Sequence, residues 1–234
     1  AIFTATAGSG AVNPDLSTVS ASPTTIAASD AEIVSIISVI ARDGLGSPIA
    51  GATVTVAASG AGNRIVQPFS PTDGQGRATA QLSSTRAEPK VVTATVNGVT
   101  LTQTVTVTVR GGYPGSWTIV AGDNQTAITG TPVPINPTLL VRDQWGNPSP
   151  GVNVPAYPSH GGTICCSTIT NVSGLMTVTW TLGPAPAPQV ITMGPFDWHG
   201  FRFFHATAVT PAACLEIVQG DGQTGAANST LPTS

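Results

Sequence analysis

The sequence predicts an all-β chain built as tandem Greek-key β-sandwiches, and three observations predict it. Apolar residues alternate with Thr, Ser and Gln in short runs such as 52–57 (ATVTVA) and 101–109 (LTQTVTVTV), which is the period of a half-buried strand. Turn-forming pairs separate these runs, among them Asp43-Gly44, Asp73-Gly74, Asn97-Gly98 and Gly146-Asn147-Pro148. The same ordered segments then return about 100 residues further on. No window carries a sustained helical stripe, and 20 prolines would interrupt one.

The elements follow in order. Residues 3–7 (FTATA) match 204–208 (FHATA), so residues 1–12 are expected to be a terminal strand or arm, the end of a preceding repeat. A first repeat is expected over 13–110. It opens with 17–21 and continues with 33–41 (IVSIISVIA), a β-branched run interrupted by Ser. That run is far short of the ~20 apolar residues a membrane helix needs and suits a buried strand. The turn 42–48 (RDGLGSP) precedes the strand 52–57. The turn 72–76 (TDGQG) precedes the strand 77–82, and the strand 101–109 sets Val105, Val107 and Val109 on one face.

A second repeat is expected over 111–210, after a Gly/Pro linker at 110–116. Residues 117–121 parallel 17–21, and 142–148 (RDQWGNP) parallel 42–48, at an offset of 100. Residues 170–174 parallel 72–76, and 189–191 parallel 90–92. Residues 215–224 mirror the opening of the second repeat, so 211–234 read as the first strand of a further repeat or as an exchanged strand. About seven short strands per ~100 residues indicate an immunoglobulin-like sandwich.

Composition narrows the function classes. Charged residues make up 8 % of the chain, against roughly 25 % in average soluble proteins. Thr, Ser, Asn and Gln fill the polar positions, and Thr suits a half-exposed strand. The net charge is −3, and the eight Lys and Arg are scattered, which excludes an electrostatic footprint for nucleic acid. No catalytic residues and no cofactor are expected. Asp197 and His199 fall in a segment (DWHG) that reads as a hairpin tip, and no nucleophile elbow, carboxylate pair or phosphate loop occurs. Asp30, Asp43, Asp73, Asp123, Asp143 and Asp221 are spread along the chain. Turn formation explains them better than calcium, which takes six to eight oxygens gathered at one point.

Aromatic and sulfur side chains give the candidate sites. Trp117 and Trp180 alternate with apolar neighbours and are expected in the core of the second sandwich. Trp145 and Trp198 stand in turns, and with Tyr113 of the linker they are expected at the end where the chain enters that sandwich. There they would form a packed joint or a contact surface for another subunit or a ligand. Adjacent strand residues point to opposite faces, so only one of Cys165 and Cys166 can face the core. A disulfide from Cys165 or Cys166 to Cys214 would tie the next strand to the second sandwich; three free thiols or a bond between the neighbours are the alternatives. Sequons occur at Asn124, Asn171 and Asn228.

Taken together, these motifs resemble the bacterial Ig-like repeats of invasin- and intimin-type surface proteins. The segments that carry the resemblance are 122–126 (GDNQT), 143–148 (DQWGNP), 151–154 (GVNV), 170–174 (TNVSG) and 180–183 (WTLG), with 43–48, 51–56 and 72–76 in the first repeat. Departures are Trp145 inside its turn, Asn171 where the turn has Asp, and the adjacent cysteines. The resemblance implies a rod-forming module, extracellular or on the cell surface, and no particular ligand. On this reading the chain is a structural module of a stalk or filament, and its partners are adjoining repeats or other copies of itself. The terminal strands (Ile2, Phe3 and Ala5; Leu215, Ile217 and Val218) would belong to truncated repeats or complete a sheet in the next copy. The alternatives are an adhesin holding a host-surface ligand through the Trp145/Trp198 end, or a viral fibre or decoration protein.

Overall fold

A computed structural model describes residues 10–194 and 200–211. The expected terminal strands at Ile2, Phe3, Ala5, Leu215, Ile217 and Val218 lie outside the described residues, as do Trp198 and Cys214.

The first sandwich runs through β1 (Thr18–Ser22), β2 (Thr25–Ala27), β3 (Ser35–Ile40), β4 (Val54–Ala58), β5 (Asn63–Val66), β6 (Arg77–Ser84), β7 (Pro89–Val96), β8 (Val99–Thr100) and β9 (Val105–Arg110). One sheet has the order β1-β3-β6-β5 and the other β2-β9-β7-β4, with β8 beside β7. The opening strand is therefore split: β1 pairs antiparallel with β3, and β2 crosses over to pair parallel with β9.

The second sandwich repeats this plan with β10 (Pro114–Ala121), β11 (Gln125–Ile128), β12 (Thr138–Asp143), β13 (Ala156–Pro158), β14 (Thr163–Cys165), β15 (Leu175–Thr177), β16 (Thr179–Thr181), β17 (Pro188–Met193) and β18 (Arg202–Val209). Its sheets are β10-β12-β15, extended by the pair β14-β16, and β11-β18-β17-β13. The counterpart of β6 is broken at Val178, whose N–H donates to Pro137 O (3.1 Å). Both units are Greek-key immunoglobulin-like sandwiches, as the alternation and spacing predicted.

Each sandwich has its own core. In the first, alternate residues such as Ile37, Val39, Leu82, Val92 and Val107 are fully buried between the sheets. Each such side chain contributes ~1.5–3 kcal/mol relative to exposure. The second core gathers Trp117, Leu139, Met176, Trp180, Met193 and Phe204, which places both core tryptophans where the sequence put them. The turns repeat atom for atom. Asp43 Oδ1 accepts from the N–H groups of Leu45 and Ser47, and Arg42 Nη1 donates to Gly46 O (2.7 Å). Asp73 Oδ1 accepts from Gln75 and Arg77 N–H, and Asn171 Oδ1 accepts from Ser173 and Leu175 N–H. Asn replaces Asp here and keeps both bonds, because that turn uses only an acceptor oxygen.

The linker is shorter than the sequence suggested. β9 extends to Arg110 and β10 starts at Pro114, which leaves residues 111–113 between the sandwiches.

Candidate inter-repeat junction

The head turn of the second sandwich, the connector and the foot of the first sandwich meet around one carboxylate. Asp143, 2 % exposed, ends β12. Its Oδ1 accepts from Trp145 N–H (2.9 Å) and Asn147 N–H (2.8 Å), as Asp43 does in the first repeat. Its Oδ2 reaches further, accepting from the connector's Gly112 N–H and from Asn147 Nδ2, both at 2.8 Å. Asn147 is itself buried. Its Oδ1 accepts from Ala87 N–H (2.9 Å) and its Nδ2 donates to Thr85 O (2.8 Å), so one amide side chain pairs with the backbone of the other sandwich in both directions. Ser149 Oγ donates to Gly112 O (3.2 Å).

The connector glycines are there for contact. A Cβ on Gly111 would lie 1.8 Å from Pro148 O, and one on Gly112 would lie 2.7 Å from Ala28 O. Neither approach is open to any other residue without a backbone shift.

Of the aromatics expected at this end, two are described. Tyr113, 77 % exposed, and Trp145, 36 % exposed, line a groove of about 430 Å³ with Ala28, Ile33 and Gln144. The structure brings them to the junction, with Tyr113 mostly in solvent and Trp145 mostly covered, while the buried side chains of Asp143, Asn147 and Ser149 there are polar. Sequence reasoning read Asp143 and Asn147 as turn formers and missed their reach across the joint. A signal existed: within otherwise matched turns, Asn147 and Ser149 replace Ser47 and Ile49, and Trp145 replaces Leu45. In the first repeat Leu45 is 92 % exposed and Ser47 is exposed.

The feet of the two sandwiches differ too. Lys90 is fully buried at the foot of the first, donating to Ala61 O and to Glu88 Oε1. The hydrogen bond from Lys90, with that from Ala61 N–H, holds the Glu88 carboxyl below the usual glutamate range. In the second sandwich Gln189 is buried at the same register, accepting from Gly183 N–H (2.8 Å) and donating to Ala185 O (3.2 Å). Ala187 O accepts from Ala208 N–H as Glu88 O accepts from Val109 N–H. Pro186 therefore stands where the first sandwich has Ala87, and it has no N–H to offer.

Both described cysteines lie at the surface. Neither Cys165 nor Cys166 faces the core; both are exposed free thiols with Sγ atoms 2.7 Å apart. Cys166 has φ +90°, so the chain has left the strand and the two-sided alternation no longer applies. The bond to Cys214 concerns a residue outside those described. Among the described residues no group of three or more His, Cys, Asp or Glu could hold a metal ion, and no helix is long and apolar enough to cross a membrane.

Two Greek-key sandwiches joined head to foot through a buried polar contact define a tandem Ig-like repeat chain. Comparison with known proteins narrows the class: residues 13–112 match the family model for invasin, domain 3. The motifs' resemblance to bacterial invasin-type Ig-like repeats thus stands. Solved structures with the same fold include FdeC, an Escherichia coli adhesin (TM-score 0.62, 20 % identity, covering 86 % of this chain and 67 % of that one). Invasin, a bacterial integrin-binding protein, gives a TM-score of 0.65 at 22 % identity, covering 86 % of this chain and 41 % of that one. InvD of Yersinia pseudotuberculosis gives 0.60 at 16 % identity, covering 90 % of this chain and 61 % of that one. The likeness to these structures is one of fold, and the chain spans less than two thirds of the last two. No curated protein matches the chain.

Proposed function

We propose that this chain is a non-enzymatic structural module of an extracellular or cell-surface stalk or filament, in which sandwiches bounded near 13–110 and 111–210 are held end to end at a fixed angle. The observation that carries the reading is the Asn147 amide, paired with Ala87 N–H and Thr85 O and backed by Asp143. A flexible tether would not bury an aspartate and an asparagine between its domains, since each costs free energy unless its hydrogen bonds are made. Stacked repeats joined this way form a rod whose stability is a sum of unit and joint terms. Small-angle X-ray scattering of the chain tests it. A single extended maximum dimension, unchanged between low and high salt, is expected; a broad distribution of interdomain distances would remove the basis for a rod. Electron microscopy of the native material tests assembly beyond one chain, where filaments or surface rods are the expected sight.

An adhesive role is the second reading, favoured by the exposure of Tyr113 and Leu45 and by a fold shared with an adhesin and an integrin-binding protein. On that reading Trp145→Ala with Trp198→Ala abolishes attachment to a host surface and leaves the rod length unchanged. If the rod collapses instead, the aromatics serve the joint.

A further inference from the structure

We propose that Cys165 and Cys166 are a modification site at which a low-molecular-weight disulfide oxidises the pair to a bond between the two neighbours, in preference to a bond with any distant thiol. The two Sγ atoms lie 2.7 Å apart, well inside the ordinary contact of two sulfurs, and both side chains are open to solvent. Neighbouring Cα atoms are ~3.8 Å apart, below the ~4.4–6.8 Å usual for disulfides. A vicinal bond therefore needs a backbone that is out of the extended state. Cys166 at φ +90° supplies one, immediately after Cys165 closes the ladder with Thr179.

The first repeat shows what this position does when it is structural. Ile65 faces Leu82 across β5–β6 as Ile164 faces Trp180 across β14–β16, so Gln67 is the counterpart of Cys166. Gln67 accepts from Val56 N–H and donates to Val56 O, both at 2.8 Å, which stitches the strand to the edge of the opposite sheet. A thiol is too short for that double contact. In the second repeat the position is released from the edge and its sulfur turns to Cys165.

The exchange balances without a further reactant. The Cys166 thiolate attacks one sulfur of the small disulfide and expels one thiolate, leaving a mixed disulfide. Cys165 then loses its proton and attacks the Cys166 sulfur, expelling the second thiolate. Both cysteine protons end on the released thiols, and the oxidant takes up the two electrons. The hydrogen bond between the thiols supports this order, because it lowers Cys166 below the ordinary thiol range and raises Cys165.

The test treats the reduced full chain and a Cys214→Ser variant with oxidised glutathione, blocks remaining thiols with N-ethylmaleimide, and maps the peptides by mass spectrometry. The expected result in both proteins is a 165–166 peptide lighter by two hydrogen atoms and free of maleimide. Cys165→Ser should stop at a glutathione adduct on Cys166. A cross-link from either residue to Cys214 or to a second chain, full alkylation of both thiols, or a persistent glutathione adduct on the unsubstituted pair would each overturn the proposal.

Discussion

Asn147→Ala tests the junction one amide at a time. The substitution removes the acceptor of Ala87 N–H, the donor to Thr85 O and the donor to Asp143 Oδ2. Two neutral bonds at ~0.5–1.5 kcal/mol each, plus a bond to an ionised group at ~1.5–3 kcal/mol, bound the loss from above. Ala87 and Thr85 are only partly buried, so water recovers some of it, and about 2–4 kcal/mol is the expected net cost of the joint. At 1.4 kcal/mol per tenfold, that is a ~30- to 700-fold fall in hydrogen-exchange protection of the Ala87 amide. The readout is residue-resolved exchange by NMR, with the core amides of Val92 and Val141 as internal controls that should not change. Ser47→Ala, at the matching but exposed position, should leave the whole pattern within ~0.5 kcal/mol of the original. If Ala87 is unprotected in the unmodified chain, or equally protected in both, the joint is not latched and the two sandwiches do not form a rod.

Further outcomes follow from the same contacts. Gly111→Ala drives a methyl into Pro148 O and should cost ~1–3 kcal/mol at the joint, seen as loss of Ala87 protection while both cores stay folded. Trp180→Ala, at a site fully buried in the second core, should destabilise that sandwich by ~3–5 kcal/mol and split calorimetric melting into two transitions. Stability should also depend on acid. The folded Glu88 titrates below its ordinary 4.5, so its stabilising effect is complete above that value and is lost as pH falls through the depressed one. Denaturant midpoints measured down the acid limb should lose that step in Lys90→Met.

Much of the fold was legible because it is written locally. Strand alternation, the Asp43 and Asp73 turns and the return of both turns about 100 residues later depend on neighbours in sequence. The core tryptophans were legible for the same reason. What escaped depends on atoms far apart in the chain or on a single backbone angle. Asn147 looks like any turn asparagine until Ala87, 60 residues earlier, is seen to donate to it. Glycines at 111 and 112 look like slack until their carbonyl neighbours are in place. Cys166 reads as a strand residue until its positive φ turns its sulfur onto that of Cys165. The break of β15–β16 at Val178 has no mark in the alternation of 175–182.

Pro186 takes a backbone donor away from the foot of the second sandwich. A sandwich seated beneath the second one, presenting an asparagine as Asn147 is presented, would meet a ring nitrogen instead of an amide proton, and half of the two-way clasp could not close. Among the described residues there is thus one joint chemically equipped to be stiff, and the foot of the second sandwich lacks the same donor. In the stack of sandwiches proposed above, bending would open at a proline foot before it opened a joint latched as Asn147 latches this one.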